Sequence, residues 1–343
     1  MLASVAVSMR QPRLKIEEGA AVAFYHCVSR VVDRNFVLGD LEKEHFVKLM
    51  RGYEAYCGVR VLTFCIMTNH FHILVEVPQR PPPELLPSDS DLVKLVKIAE
   101  CSYGATTLER KLEQLRCDFR HEEAEVLREH FFATMWDVSY FMRVLKQRFS
   151  QWFNSGHARK GTLWEERFRS VLVEGGNALR TVAWYIDLNP IRAGIVNEPE
   201  AYRWCGYGEA VAGVSRARQG LELLMQSFFA EKKQPLELRA AYRIQLYVAG
   251  EENPGDEQGE GGRRGFGREQ IQAVETAGGD LGLRKALGCK VRHFTEGIVL
   301  GSEAFVERHF KRRREEGSAF QRMCPREIRS LFGRGLFTCG TSS

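Results

Sequence analysis

The sequence predicts an α+β fold, an antiparallel four-stranded sheet with helices packed on it. Three observations predict it. Short runs rich in β-branched and aromatic residues recur at 21–30, 59–67, 70–77 and 168–173. Only Thr68-Asn69 separates two of these runs, so they form an antiparallel hairpin. Stretches with apolar residues at helical spacing separate the others.

Taken in order, AVAFYHCVSR (21–30) is a strand without breakers. Asp40 is placed to cap a helix over 41–56, with Glu42 and Glu44 in its first turn and Phe46, Leu49, Met50 and Tyr53 on one face. VRVLTFCIM (59–67) and HFHILVEV (70–77) are the hairpin strands. Five prolines between 78 and 87 mark a spacer, and 91–135 reads as an acidic helical insertion. Asp137 or Ser139 caps a helix to about Phe153, stopped by Asn154-Ser155-Gly156. Phe168–Val173 is the fourth strand. The helix over 179–188 stops near Asn189, because Pro190 disfavours helical geometry in the residue before it. The order β-α-β-β-α-β is the ferredoxin-like split arrangement, with helices expected on one face. That fold hosts many functions and selects none.

Four segments follow: 1–215, carrying an insertion at about 79–137; a helical connector at 216–250, with helix over 221–248; a Gly-rich linker at 251–267; and a small basic helical unit at 268–343. In the last, 278–287 is a candidate helix-turn-helix half, and a helix over 302–309 leads into Lys311-Arg312-Arg313-Arg314.

Composition excludes some classes. Hydrophobic residues at 44% and charged residues at 27% fit a folded chain rather than a disordered one. No window is apolar enough to span a bilayer, and the start lacks a basic n-region and a long apolar core, so neither a membrane partner nor a signal peptide is expected. Nine scattered cysteines without a CxxC pair suggest reduced thiols and a cytoplasmic location. Net charge is +5, all of it beyond residue 215, since 1–215 holds 27 basic and 27 acidic side chains. Within 139–169, however, Arg143, Lys146, Arg148, Arg159, Lys160, Arg167 and Arg169 face only Glu165 and Glu166. Beside Trp152, Trp164 and Phe168, that surplus suits phosphates and bases; it also suits a solvated helix face.

Two small constellations carry chemistry. His70 and His72 lie two apart on one strand and share a face, so both imidazoles can meet one cation. Two unrelated strand histidines would show the same spacing. Tyr185 and Asn189 lie four apart on a helix and are neighbours on one face. They offer a phenol nucleophile and an amide ligand, or equally a packed tyrosine and a helix cap.

Together, YHCVSR (25–30), MTNHFHILVEV (67–77), YFMRVLKQRFSQWFN (140–154), GTLWEERFRSVLVE (161–174) and YIDLNPIRAGIV (185–196) resemble the HUH single-tyrosine transposases, of the REP-associated tyrosine transposase type. The matching blocks span roughly 20–210. The resemblance implies Tyr185 as nucleophile and His70, His72 and Asn189 as ligands of a divalent metal, Mg²⁺ or Mn²⁺. It implies DNA strand cleavage and rejoining through a 5′-phosphotyrosine, on single-stranded or hairpin DNA with palindromic repeats. Arg143, Lys146, Arg148, Arg167 and Arg169 are candidate backbone contacts. Asp187 is a candidate support residue behind them. The long insertion and the segment after 215 depart from a minimal member and leave target sequence and oligomeric state, monomer or homodimer, open. Two other readings are a DNA-binding protein that no longer cuts and a small-substrate metal hydrolase built on the two histidines.

Overall fold

The computed structural model describes residues 21–99, 102–253 and 262–282, together with three short strands between 299 and 339. Four strands, β1 (Val22–Arg30), β2 (Arg60–Ile66), β3 (His70–Pro78) and β4 (Arg169–Val173), form one antiparallel sheet in the order β2-β3-β1-β4. This is the split β-α-β-β-α-β order. It follows from the hairpin: β3 pairs with β2 across the two-residue turn and with β1 on its other side, and β4 closes on β1.

Helices cover both faces, not one. On the first face, α1 (Asp40–Cys57) packs against α5 (Val138–Gly156), and Phe46, Phe141, Leu145 and Phe149 meet Tyr25, Cys27, Phe71 and Ile73 in one core. Gly39, one residue before the expected Asp40, is the α1 N-cap. Asp137 caps α5, its Oδ1 accepting from the backbone N–H groups of Ser139 and Tyr140. The insertion is three helices, α2 (Asp89–Ala99), α3 (Ser102–Cys117) and α4 (His121–Phe132), with α2 against α1.

The second face buries Leu62, Cys65 and Leu74 under α6 (Asn177–Asp187), α7 (Asn189–Arg192), α8 (Gly206–Val211), α9 (Ser215–Gln226) and α10 (Pro235–Ala249). The residues over 221–248 are two helices rather than one, because Gln234 and Pro235 start a new one with a capping box. α9 lies directly on β2: a methyl group on Gly220 would collide with the Leu62 backbone. Apolar residues on both faces explain why β2 and β3 read as nearly continuous hydrophobic runs.

Beyond α10, α11 (Arg268–Thr276) is followed by β5 (Val299–Gly301), β6 (Arg326–Glu327) and β7 (Phe337–Cys339), a small antiparallel sheet in the order β5-β7-β6. The unit expected to be helical thus holds α11 and also short strands. The helix expected over 302–309, the second half of 278–287 and the Lys311–Arg314 run lie outside the described residues.

Candidate functional site

Alternation along β3 sends Phe71, Ile73 and Val75 into the first core and His70, His72 and Leu74 to the second face. The same alternation along β1 puts His26, Val28 and Arg30 beside them, with Val28 opposite His72 and Arg30 opposite His70. α6 lies across β2 and β3 on this face and carries Tyr185. The Tyr185 ring centroid is 5.6 Å from that of His72 and 6.2 Å from that of His26; His70 and His72 are 5.1 Å apart. Tyr185 is 41% exposed, open to a large substrate.

The hydrogen bonds fix most of the protons. Asn69 Nδ2 donates to the Arg34 carbonyl, so its Oδ1 faces His70 and accepts from Nδ1–H at 2.7 Å. The lone pair of His70 is then on Nε2. His72 Nδ1 and His26 Nε2 are 3.0 Å apart and share one proton between them. Burial depresses all three imidazole pKa values, to about 4 for His26 and His70 and about 3 for His72, with neighbouring His26, His70 and Arg30 adding to the effect on His72. All three are neutral at pH 7, the form that ligates a metal. His70 and His72 thus fit as two nitrogen donors.

Asn189 sits one turn beyond Tyr185 and spends its Nδ2 on the carbonyls of Tyr185 and Ile186. That is a helix cap; neither bond uses Oδ1. Among the described residues, no group of three or more His, Cys, Asp or Glu side chains is arranged to hold a metal ion. Asp187 points away from the phenol into the core, where it accepts from Thr63 Oγ1, the Tyr207 N–H and Tyr242 O–H at 2.7, 3.3 and 2.5 Å. Burial raises its carboxyl to about 6, against the pull of those three donors. Its work is to tie α6 to β2, α8 and α10.

The basic residues divide. Arg143 and Arg148 are exposed on α5, across the sheet from Tyr185. Lys146 corrects its expectation: it is 8% exposed, its Nζ donates to the Glu166 carbonyl at 2.7 Å, and it lies over the Trp164 ring. Its ammonium holds the 164–166 segment in place and is not free for a backbone phosphate. Arg167 is exposed just ahead of β4. Arg169 is exposed on the histidine face, opposite Val28. Sequence reasoning missed His26, Arg30 and Arg192. The signal for the first two was present, since a strand over 21–30 paired with 70–77 puts every second residue on the histidine face. Arg192 carries its guanidinium 5.3 Å from the Tyr185 ring centroid, and only the α6–α7 geometry reveals it.

Residues 21–94 match the family model described as transposase IS200 like. That stretch holds His26, His70 and His72 and ends before Tyr185. Among solved structures, the chain is similar to the one described as "Structure of the REP associates tyrosine transposase bound to a REP hairpin", at 14% identity and a TM-score of 0.37, over 60% of this chain and 87% of that one. No curated protein matches the chain. Among the described residues, no helix is long and apolar enough to cross a membrane.

Proposed function

We propose, from the premise that residues 21–94 form an IS200-like transposase segment, that the chain is a DNA strand transferase acting on single-stranded or hairpin DNA. The observation that carries the reading is the meeting of three neutral imidazoles and one accessible phenol on a single sheet face. In the proposed reaction the Tyr185 oxygen attacks the scissile phosphorus. A Tyr–O–P bond forms and the P–O3′ bond breaks, giving a 5′-phosphotyrosine and a free 3′-hydroxyl that takes up the phenol proton. The ester is conserved, so a second 3′-hydroxyl can reverse the step and join strands without a nucleotide cofactor. A divalent cation, Mg²⁺ or Mn²⁺, held by His70 and His72 with Asn189 as the third donor, would neutralise charge building on the phosphate. Arg30 and Arg169, on the same face, are candidates for the flanking phosphates, together with Arg167; cation chemistry there raises affinity without reading sequence.

A second reading is a protein that binds such DNA without cutting it. The observation favouring it is the set of exposed arginines, Arg30, Arg167 and Arg169, at the histidine face, which would hold DNA without any chemistry at Tyr185. One experiment separates the two. Labelled hairpin DNA incubated with Mn²⁺ and the full chain is expected to give a denaturant-resistant protein–DNA adduct. Tyr185→Phe should abolish the adduct and leave the binding constant within about twofold of the parent. A persistent adduct in Tyr185→Phe removes the nucleophile from the account; DNA binding without any adduct in the parent chain establishes the non-cutting reading.

A further inference from the structure

The Gly-rich stretch after α10 does not run away from the molecule at its described ends. Phe266 is fully buried, stacked on Tyr247 with ring centroids 4.2 Å apart, and it lies where a Cβ on Gly250 would be. Backbone bonds hold the two ends together: Phe266 N–H to the Gly250 carbonyl at 2.9 Å, Glu252 N–H to the Phe266 carbonyl at 3.1 Å, and a reciprocal pair between Asn253 and Arg263. Gly265 faces the Gly250 carbonyl so closely that any side chain there would collide with it. GRRGFG (262–267) is therefore a pinned return, with Phe266 as the pin and the two arginines presented just ahead of it.

The return delivers those arginines to the nucleophile's side of the molecule. The Arg264 guanidinium occupies the space a Cβ on Gly194 would need, and Gly194 has a left-handed φ of +66°. Gly194 follows α7 by two residues, and α7 ends in Arg192, whose guanidinium lies over the Tyr185 ring. Arg192 and Arg263 are close enough to sense one another: burial first, and the Arg263 charge second, lower the pKa of Arg192. Arg263 and Arg264 are exposed, and among the described residues no carboxylate pairs with Arg192, Arg263 or Arg264. Like charges gathered in this way cost energy unless an anion joins them.

We propose that Arg192, Arg263 and Arg264 form a clamp for the backbone phosphates of single-stranded DNA beside Tyr185, contributed largely by the segment after α10. This deepens the proposed function and rests on it. Planar guanidinium forks suit phosphate oxygens, and the neighbouring phenol needs one phosphate held still. The clamp positions the strand; it reads no bases.

The test is the salt dependence of binding of a fluorescein-labelled single-stranded hairpin oligonucleotide to the full chain. Each phosphate contact on a single strand contributes about 0.7 to the slope of log affinity against log salt. R263A/R264A should flatten the slope by about 1.4, R263K/R264K should retain most of it, and the exposed, ion-paired Arg80→Ala/Arg120→Ala should match the parent. Both pairs of arginines are exposed, so folding is expected to survive, and circular dichroism checks it. An unchanged slope in folded R263A/R264A overturns the clamp while leaving the proposed function standing. A parent chain that fails to bind the oligonucleotide at low salt overturns the proposed function, and the clamp with it.

Discussion

The proton shared by His72 Nδ1 and His26 Nε2 has only two places to be. On His72 Nδ1, it leaves the His72 Nε2 lone pair available to a cation. On His26 Nε2, it puts the other His72 proton on Nε2 and blocks that position. His26 therefore acts as an acceptor in the proposed metal-binding state, and its loss should loosen both ring orientation and tautomer. Isothermal titration of the full chain with Mn²⁺ should find affinity lowered about 10–100-fold in His26→Ala, with partial recovery in His26→Gln, whose amide oxygen can accept. Equal affinity in parent and His26→Ala would remove this role. His26 was legible as a strand residue but not as a partner. Its importance depends on register, and register is a long-range property that YHCVSR alone does not state.

At the scale of the element, α5 shows how charge on a helix can be structural. Its exposed Arg143 and Arg148 and its buried Lys146 look alike in sequence, yet Lys146 turns inward to the 164–166 segment and to Trp164. Burial pushes its pKa down to about 8 from the usual 10.5. The unfolded chain keeps that proton up to about 10.5, so between these values the unfolded state binds more protons. Stability contributed by this group should then rise with pH from 8 to 10.5 and be lost as pH falls through 8. Urea unfolding of the parent and of Lys146→Met across that window should show the parent gaining on the variant. A constant difference between the two would mean that Lys146 is solvated. The same reasoning explains why helix boundaries read well and helix faces read poorly. Asp137 acts locally as a cap, and Pro190 stands in the first turn of α7, which begins at Asn189 itself, whereas which face α5 buries depends on a sheet assembled from distant strands.

On the scale of the whole molecule, composition suggests a boundary near 215, and burial runs across it. α9 lies on β2, α10 packs against α9 and α6, and Tyr242 on α10 donates to the buried Asp187 of α6. A chain ending after residue 215 uncovers Leu62 and leaves Asp187 short of a donor. Such a chain is expected to lose its cooperative thermal transition and to bind a hydrophobic dye; a sharp monomeric transition would show that 1–215 folds alone. The strand order and the hairpin were legible because a two-residue turn leaves few topologies. The covering of the second face was not, because α9 and α10 look like ordinary amphipathic helices until the sheet gives them a place. The seat that Gly194 makes for Arg264 has an evolutionary corollary. Recombination between relatives that exchanged everything after α10 would separate a glycine from the arginine it accommodates, so these two positions should be inherited as a unit although they lie 70 positions apart in the chain.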